Sequence, residues 1–160
     1  MLTFGDVLVY AVSFFGLYTA IFFFMTLYEN RAKLGNPRPK RYPIVGVIIP
    51  AYNEEHKIAK TIESVLKLDY PKEKLKIVVI DDGSRDNTYK VAKKYETQGV
   101  RVYKKKNEGK GTALNYALKR MKVELVGALD ADSFVHRKAL KRMVGYFDEK
   151  QVMRSEERRV

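Results

Sequence analysis

Two aspartates stand one residue apart directly after an apolar stretch of the chain. Asp130 and Asp132 follow the run LVGAL and precede Ser133. Carboxylate oxygens at this spacing can bind one hard cation, Mg²⁺ or Mn²⁺, which completes its shell with water and substrate phosphates. The alternative is a turn followed by a helix N-cap, because Asp132 and Ser133 precede a predicted helix. The position after what we interpret as a buried strand favours the metal-binding pair.

A second pair of acids, Asp81 and Asp82, follows the apolar run IVVI. A carboxylate accepts hydrogen bonds from a nucleobase imide or a ribose hydroxyl, so one member of the pair can bind a nucleoside. The other member can serve a turn, for which Gly83 supplies backbone freedom. A turn alone explains the sequence D-D-G-S equally well, so the residues leave this choice open.

Two further polar segments also follow apolar runs. In PAYNEE, residues 50–55, Tyr52 can stack on a base and Glu54 can bind the nucleotide; alternatively, Glu54 or Glu55 serves the first turn of a helix. In NEGKGT, residues 107–112, Lys110 lies between glycines at a helix start, where backbone N–H groups and a cation favour phosphate. The spacing is not that of a P-loop, and a flexible basic turn is the alternative.

These polar segments need strands and helices to position them. Apolar, β-rich runs predict strands over residues 44–49, 75–80, 100–103 and 124–129. Apolar residues at helical spacing predict helices over 54–68, from a start within 84–88, over 111–121 and over 137–147. Alternating strands and helices predict a parallel sheet with helices on both faces. Ligands bind beyond the carboxyl ends of such strands, so we expect the polar segments to converge on one site.

The stretch over residues 7–27 is apolar and contains no charged residue. As a helix it would span about 32 Å, close to the hydrocarbon thickness of a bilayer. A signal peptide would begin with basic residues, whereas this chain begins MLTFGD; a buried core helix is the remaining alternative. The bases that follow predict a single-pass protein of the cell membrane with its domain in the cytoplasm. They are Arg31, Lys33, Arg38, Lys40 and Arg41.

The overall composition limits the chemistry and the partners. The chain has no cysteine, which excludes disulfides, thiolate catalysis and cysteine-ligated metals. Its formal net charge is +12, and a basic surface suits nucleic acid, anionic lipid or a phosphorylated substrate. Beside a membrane helix, membrane lipids or a phosphate-bearing substrate explain the charge better, and we predict no nucleic-acid partner.

Four segments together resemble one enzyme family. VGVIIPAYNEE, IVVIDDGSRDNT, NEGKGTALNYAL and LVGALDADS are similar to the motifs of the family 2 glycosyltransferases, in the right order and spacing. The resemblance implies an α/β fold: the Rossmann-like, nucleotide-sugar-binding half of a GT-A domain, with a mostly parallel sheet after one transmembrane helix. It also implies metal-dependent, inverting transfer of a sugar from a UDP- or GDP-linked donor to a lipid or polysaccharide acceptor. The implied cofactor is Mg²⁺ or Mn²⁺.

The same resemblance implies roles for particular residues. An acidic general base and the Q-x-x-R-W motif of processive synthases are not found, so no catalytic base is assigned. The nucleoside would be bound after the first two strands, the nucleotide by a lysine, and the metal and diphosphate by the D-x-D pair. By motif match, these residues are Pro50, Tyr52, Glu54, Asp82, Lys110, Asp130 and Asp132.

The sequence suggests four consecutive regions. They are a transmembrane helix (1–30), a basic juxtamembrane linker (31–43), an incomplete donor-binding domain (44–150) and an atypical tail (151–160). The heptapeptide RSEERRV, residues 154–160, can be encoded by a DNA sequence that resembles a common sequencing adapter. We therefore expect that these residues are a sequencing artefact and that the reading frame is truncated there. An ordinary charged tail is the alternative. A sheet lacking its remaining strands would expose an edge, which predicts marginal stability.

Two other functions are compatible with these patterns. A non-catalytic, membrane-tethered module would keep the nucleotide site without transferring a sugar. A nucleotidyltransferase can use a similar sheet, but it would carry a glycine-rich segment with Arg or Lys after the first strand, where PAYNEE stands here.

Overall fold

The computed structural model of the chain describes residues 3–31 and 39–148, which form two units divided between residues 36 and 37. The first unit contains one helix, α1 (Phe4–Asn30). The second contains strands β1 (Val45–Ala51), β2 (Leu75–Asp81), β3 (Val100–Lys104) and β4 (Leu125–Ala128). Its helices are α2 (Ile58–Leu66), α3 (Thr88–Lys93), α4 (Lys110–Leu118) and α5 (Ala139–Val144). Short 3₁₀ turns follow at Lys72–Lys74, Lys94–Gln98 and Gly145–Asp148. The predicted tail at 151–160 and most of the predicted linker lie outside the described residues.

Helix α1 is long and apolar enough to cross a membrane, although a signal sequence near an N-terminus would have the same properties. It begins with a capping box between Thr3 and Asp6. The hydroxyls of Thr19 and Thr26 donate to carbonyl oxygens one turn earlier, at 2.8 Å each. The polar groups of these two threonines are therefore satisfied within the helix, as a hydrocarbon environment requires.

The second unit is built on a parallel sheet in the order β3-β2-β1-β4. This arrangement confirms the predicted α/β class. Two apolar clusters cover the two faces of the sheet. On one face, side chains of β1, β2 and β3 pack against α2, α3 and α5. On the other, Ile48, Val78 and Ile80 pack against Ala113 and Ala117 of α4. Alternate strand residues point to opposite faces, which explains why the continuous apolar runs of β1 and β2 are buried throughout.

The prediction that the fourth strand is buried is wrong. β4 is an edge strand, and Val126 within it is 45% exposed. It pairs with β1 from Val45↔Leu125 to Ile48↔Ala128. Helix α4 packs over β1 and β2, and in the part of the chain that is described nothing buries the same face of β4. A continuous apolar run therefore occurs here on a strand that is only partly covered.

The residues immediately before β1 are attached to the domain. Glu124 accepts hydrogen bonds from the Arg41 guanidinium and from the N–H of Ile44, at 2.5 and 2.9 Å. The hydroxyl of Tyr70 donates to the Pro43 carbonyl oxygen at 2.7 Å. The chain thus enters the sheet along a fixed path at the amino ends of the strands.

Candidate functional site

The loops after β1 and β2 are fastened to each other at the carboxyl edge of the sheet. Asn53 has a left-handed backbone with φ of +55°. Its N–H donates to Ser84 Oγ at 3.0 Å, and its side-chain oxygen accepts from the N–H of Arg85 at 2.9 Å. The N–H of Glu54 donates to Thr88 Oγ1 at 2.8 Å. These bonds hold PAYNEE against DDGSRDN, and they explain why α2 begins at Ile58 instead of at the predicted residue 54.

Three predicted nucleoside ligands lie on or after β1. Pro50 is half-buried within the strand. Tyr52 follows the strand with 43% of its surface exposed, so its ring is accessible for stacking. The carboxylate of Glu54 lies 3.7 Å from the ammonium of Lys57. The structure therefore places an accessible aromatic ring and an acidic group beside the end of β1.

Asp82 joins the loop after β2 to the loop after β3. The ammonium of Lys105 donates to Asp82 Oδ1 at 2.6 Å, and the N–H of Gly109 donates to Asp82 Oδ2 at 2.8 Å. The N–H of Glu108 adds a longer bond of 3.2 Å. Lys105 also donates to Thr112 Oγ1 at 3.1 Å. Asp82 thus holds the NEGKGT segment in place, which sequence reasoning did not anticipate.

The hydrogen bonds to Asp82 determine its charge. Burial raises the pKa of the Asp82 carboxyl, but the donors from Lys105, Glu108 and Gly109 together outweigh burial, so its pKa lies below the usual range. Burial lowers the pKa of Lys105, but its bonds to the two acids Asp82 and Glu108 leave it raised. Both groups are therefore charged at neutral pH.

Asp81, the other member of the pair, is fully buried. Its Oδ1 accepts from the N–H of Ser84 at 3.2 Å, as expected of a turn residue. Its Oδ2 has no hydrogen-bond donor within the described residues, although the ammonium of Lys104 lies 3.6 Å away. Gly83 follows with φ of +76°, and a Cβ there would lie 2.7 Å from the nitrogen of Asn107. The turn therefore requires glycine for both conformation and space.

The two aspartates of the D-x-D pair lie on a turn after β4. Between them, Ala131 is buried, and its carbonyl oxygen accepts from Thr61 Oγ1 at 2.7 Å. The N–H of Ser133 closes the turn on the carbonyl oxygen of Asp130 at 3.0 Å. The alternative that Asp132 caps a helix is wrong, because α5 begins only at Ala139. Anchoring the central residue on α2 leaves both carboxylates about half-exposed.

Two lysines connect the aspartates to the neighbouring loops. The ammonium of Lys110, at the start of α4, forms an ion pair with Asp130. The ammonium of Lys57 lies 3.8 Å from Asp132 and 3.7 Å from Glu54. Lys57 thereby links the loops after β1 and β4. No pattern in the sequence distinguished Lys57 from the other lysines of the chain.

The donor set at the D-x-D pair suits a hard divalent cation. Two exposed carboxylates supply oxygen ligands, and each forms an ion pair with a lysine in this structure. Within residues 3–31 and 39–148, no group of three or more His, Asp or Glu side chains is arranged for a metal. A cation there would take its remaining ligands from water and from substrate phosphate, which is typical of Mg²⁺ and Mn²⁺.

The four loops form a closed ring at one edge of the sheet. Asn53 joins the first loop to the second, Asp82 joins the second to the third, and Lys110 joins the third to the fourth. Lys57 completes the ring from the fourth loop to the first. The predicted convergence of the four polar segments is therefore observed, and it collects an accessible aromatic ring, lysine ammonium groups and paired carboxylates.

Comparison with known families and proteins gives consistent similarities. The model of Glycosyl transferase family 2 matches residues 46–153. Poly(ribitol-phosphate) beta-N-acetylglucosaminyltransferase TarS of Staphylococcus aureus is 34% identical over 106 residues, which are 64% of this chain. Those residues are 18% of that protein, so this chain spans less than a fifth of the curated relative.

Solved structures show the same fold. The mannosyltransferase PcManGT from Pyrobaculum calidifontis, in complex with GDP-Man and Mn²⁺, aligns with a TM-score of 0.67 and 30% identity. The alignment covers 85% of this chain and 43% of that chain. Residues 1–349 of S. aureus TarS, in complex with UDP-GlcNAc, align with a TM-score of 0.62 and 34% identity. Here the alignment covers 67% of this chain and 32% of that chain.

Proposed function

Since this chain belongs to glycosyl transferase family 2, we propose that the ring of loops binds a nucleoside-diphosphate sugar and a divalent cation. The observation that carries the proposal is the convergence of Tyr52, Asp82, Lys110 and the D-x-D pair at one edge of the sheet. Two of the similar solved structures support it, because one is a complex with GDP-Man and Mn²⁺ and the other is a complex with UDP-GlcNAc.

The roles of the residues follow from their chemistry. Tyr52 would stack on the base, with Pro50 and Glu54 beside it, and Asp82 would position the nucleoside as it positions the loop. Asp130 and Asp132 would hold Mg²⁺ or Mn²⁺, which when bound neutralises the departing diphosphate. The ammonium of Lys110, which lies beside Asp130, would bind the diphosphate oxygens.

The proposed reaction is a direct displacement at the sugar. A hydroxyl oxygen of the acceptor forms a bond to the anomeric carbon, the bond from that carbon to the diphosphate breaks, and the configuration inverts. The electron pair of the broken bond stays with the diphosphate, and the hydroxyl proton passes to a base that we do not assign. We propose a lipid or a growing polysaccharide as the acceptor.

The proposed location is the cytoplasmic face of the cell membrane. Helix α1 would be the anchor, since its length and composition suit a bilayer and bases such as Arg31 follow it. The guanidinium of Arg31 lies 3.8 Å from the centroid of the Tyr28 ring, an arrangement suited to an interface between lipid and water.

Product analysis tests this proposal. The full-length gene product in detergent is incubated with UDP- and GDP-linked sugars, Mn²⁺ and a lipid extract, and the products are identified. We expect release of the nucleoside diphosphate that Asp132→Asn abolishes. The matched control is Asp69→Asn, because Asp69 also pairs with a lysine, Lys141 at 3.5 Å. Nucleotide binding without turnover would indicate a non-catalytic module, and pyrophosphate release from a sugar phosphate and a nucleoside triphosphate would indicate a nucleotidyltransferase.

A further inference from the structure

A cavity lies at the opposite, amino-terminal edge of the sheet. It encloses about 300 Å³ beside the first residues of β2 and β3 and the chain that follows α4. Among the residues that the structure describes, its lining includes cationic residues from each of these elements and no acidic residue. The cations are Lys76, Arg101, Arg120 and Lys122.

The register of the sheet explains why these cations face one cavity. Val78 lies opposite Arg101 in the pairing of β2 with β3, and Lys76 shares the face of Val78 because it lies two residues earlier. Val78 is buried in the cluster under α4. That helix ends at Leu118, so it covers the carboxyl part of this face and leaves Lys76 and Arg101 uncovered.

The chain after α4 is held against the sheet at the same place. A Cβ on Gly46 would overlap the terminal carbon of Met121, so the Met121 side chain packs directly on the β1 backbone. This contact sets the neighbouring Arg120 and Lys122 at the rim of the cavity. The site is therefore shaped by packing and does not depend on exposed side chains alone.

The charge of the cavity is uncompensated. Within residues 39–148, no carboxylate lies within 4.0 Å of any of the four cations. Arg120 donates to the carbonyl oxygen of Tyr116 at 3.1 Å and stacks on its ring, which leaves its charge in place. Arg120 follows the carboxyl end of α4, where the helix dipole stabilises a cation. The dipole does not account for Lys76 and Arg101, which lie on strands. Like charges repel, and a bound anion would relieve that repulsion.

We propose that this cavity binds the phosphate headgroup of an anionic membrane lipid. Residues 31–44 of the sequence join α1 to β1, so the proposed anchor would keep the domain at the membrane surface. Basic groups close to a membrane-spanning helix are attracted to anionic lipid surfaces. The apolar lining residues, which include Met121 and Val123, suit the hydrocarbon next to the headgroup. The inference rests on the proposed membrane attachment and not on nucleotide binding.

Hydrogen exchange of the full chain in lipid nanodiscs tests the proposal. Discs of phosphatidylcholine alone are compared with discs that also contain phosphatidylglycerol. We expect phosphatidylglycerol to slow amide exchange several-fold in residues 99–102 and 119–123. The pair Lys76→Glu and Arg101→Glu should lose this protection. The pair Lys90→Glu and Lys94→Glu should keep it, because it changes the net charge equally at exposed positions outside the cavity.

Further arms separate the possible outcomes. Protection that persists after Lys76→Glu and Arg101→Glu overturns the proposal. Equal protection by inorganic phosphate in phosphatidylcholine discs, or protection by a single-stranded oligonucleotide alone, overturns the assignment to lipid. Far-UV circular dichroism checks the fold of each variant and does not depend on nucleotide binding. A failure of the proposed nucleotide site is therefore distinguished from a failure of the lipid proposal. If the charge-reversed pair does not fold, Lys76→Gln with Arg101→Gln replaces it, and a reduced protection is expected.

Discussion

At the scale of single residues, the site depends on which charged groups face each other. Asp82 is buried and bonded to Lys105. At pH 7 we expect Asp82→Asn to lower the free energy of unfolding by about 1–3 kcal/mol, since Lys105 loses its charged acceptor. Asp69→Asn, at a half-exposed ion pair, should cost less than about 1 kcal/mol. Denaturant unfolding of the full chain in detergent, followed by tyrosine fluorescence, measures both variants.

The difference in the free energy of unfolding between wild type and Asp82→Asn should depend on pH in a defined direction. The pKa of Asp82 is lowered in the folded protein, so its stabilisation is complete above the unfolded pKa of about 3.9 and is lost as the pH falls further. The gap between wild type and Asp82→Asn should therefore be constant from pH 7 to about pH 5 and close below about pH 4. A gap that stays unchanged to pH 2 would show that the carboxylate charge is not what stabilises the loop.

Lys57 competes with a cation for Asp132. Its ammonium lies 3.8 Å from that carboxylate, and exposed pairs of this kind contribute about 0.2–1 kcal/mol. We expect Lys57→Ala to tighten Mn²⁺ binding by about 1.4- to 5-fold, as measured by electron paramagnetic resonance. Lys67→Ala is the control, because Lys67 pairs with Glu63 at 3.9 Å and forms no ion pair with Asp130 or Asp132 in the described residues. Weaker Mn²⁺ binding in Lys57→Ala would mean that the lysine supports the cation site.

At the scale of the elements, the turn after β2 depends on one glycine. Gly83 and Gly99 both have left-handed backbones, but only at Gly83 would a Cβ meet another atom within 4 Å. We expect Gly83→Ala to destabilise the fold by about 1–3 kcal/mol and to weaken nucleotide binding. Gly99→Ala should cost less and leave nucleotide binding unchanged. If both variants lower the free energy of unfolding equally, glycine is required at position 83 for its backbone conformation alone and not because of the contact with Asn107.

The sequence predicted the strands well and the loop contacts poorly. Four apolar runs, each followed by polar residues, predicted the parallel sheet and the convergence of the loops. The predicted start of α2 was early because Asn53 takes a left-handed turn that its residue type permits but does not require. The role of Lys105 was not predictable, since Lys104, Lys105 and Lys106 are identical in type and only the end of β3 decides their directions.

At the scale of the whole molecule, the uneven cover of the sheet should appear in its dynamics. β1 and β2 are central and buried, whereas β4 is an edge strand and largely exposed. We expect amides of residues 125–128 to exchange with solvent much faster than those of residues 45–51. Equal protection of the two strands would mean that β4 is covered. The apolar run LVGAL could not reveal this, because the sequence of a strand does not state what packs on it.

The central claim is that the four loops form one metal-dependent nucleotide site, and calorimetry tests it most directly. The full chain in detergent is titrated with UDP and with GDP, in Mn²⁺ and in a chelator. We predict that one of the two nucleotides binds in the presence of Mn²⁺ and that the chelator weakens this binding. Asp132→Asn should raise the dissociation constant at least about tenfold, which corresponds to 1.4 kcal/mol. Asp69→Asn should bind as wild type does. Binding of equal strength in wild type and Asp132→Asn, with or without Mn²⁺, would contradict the account.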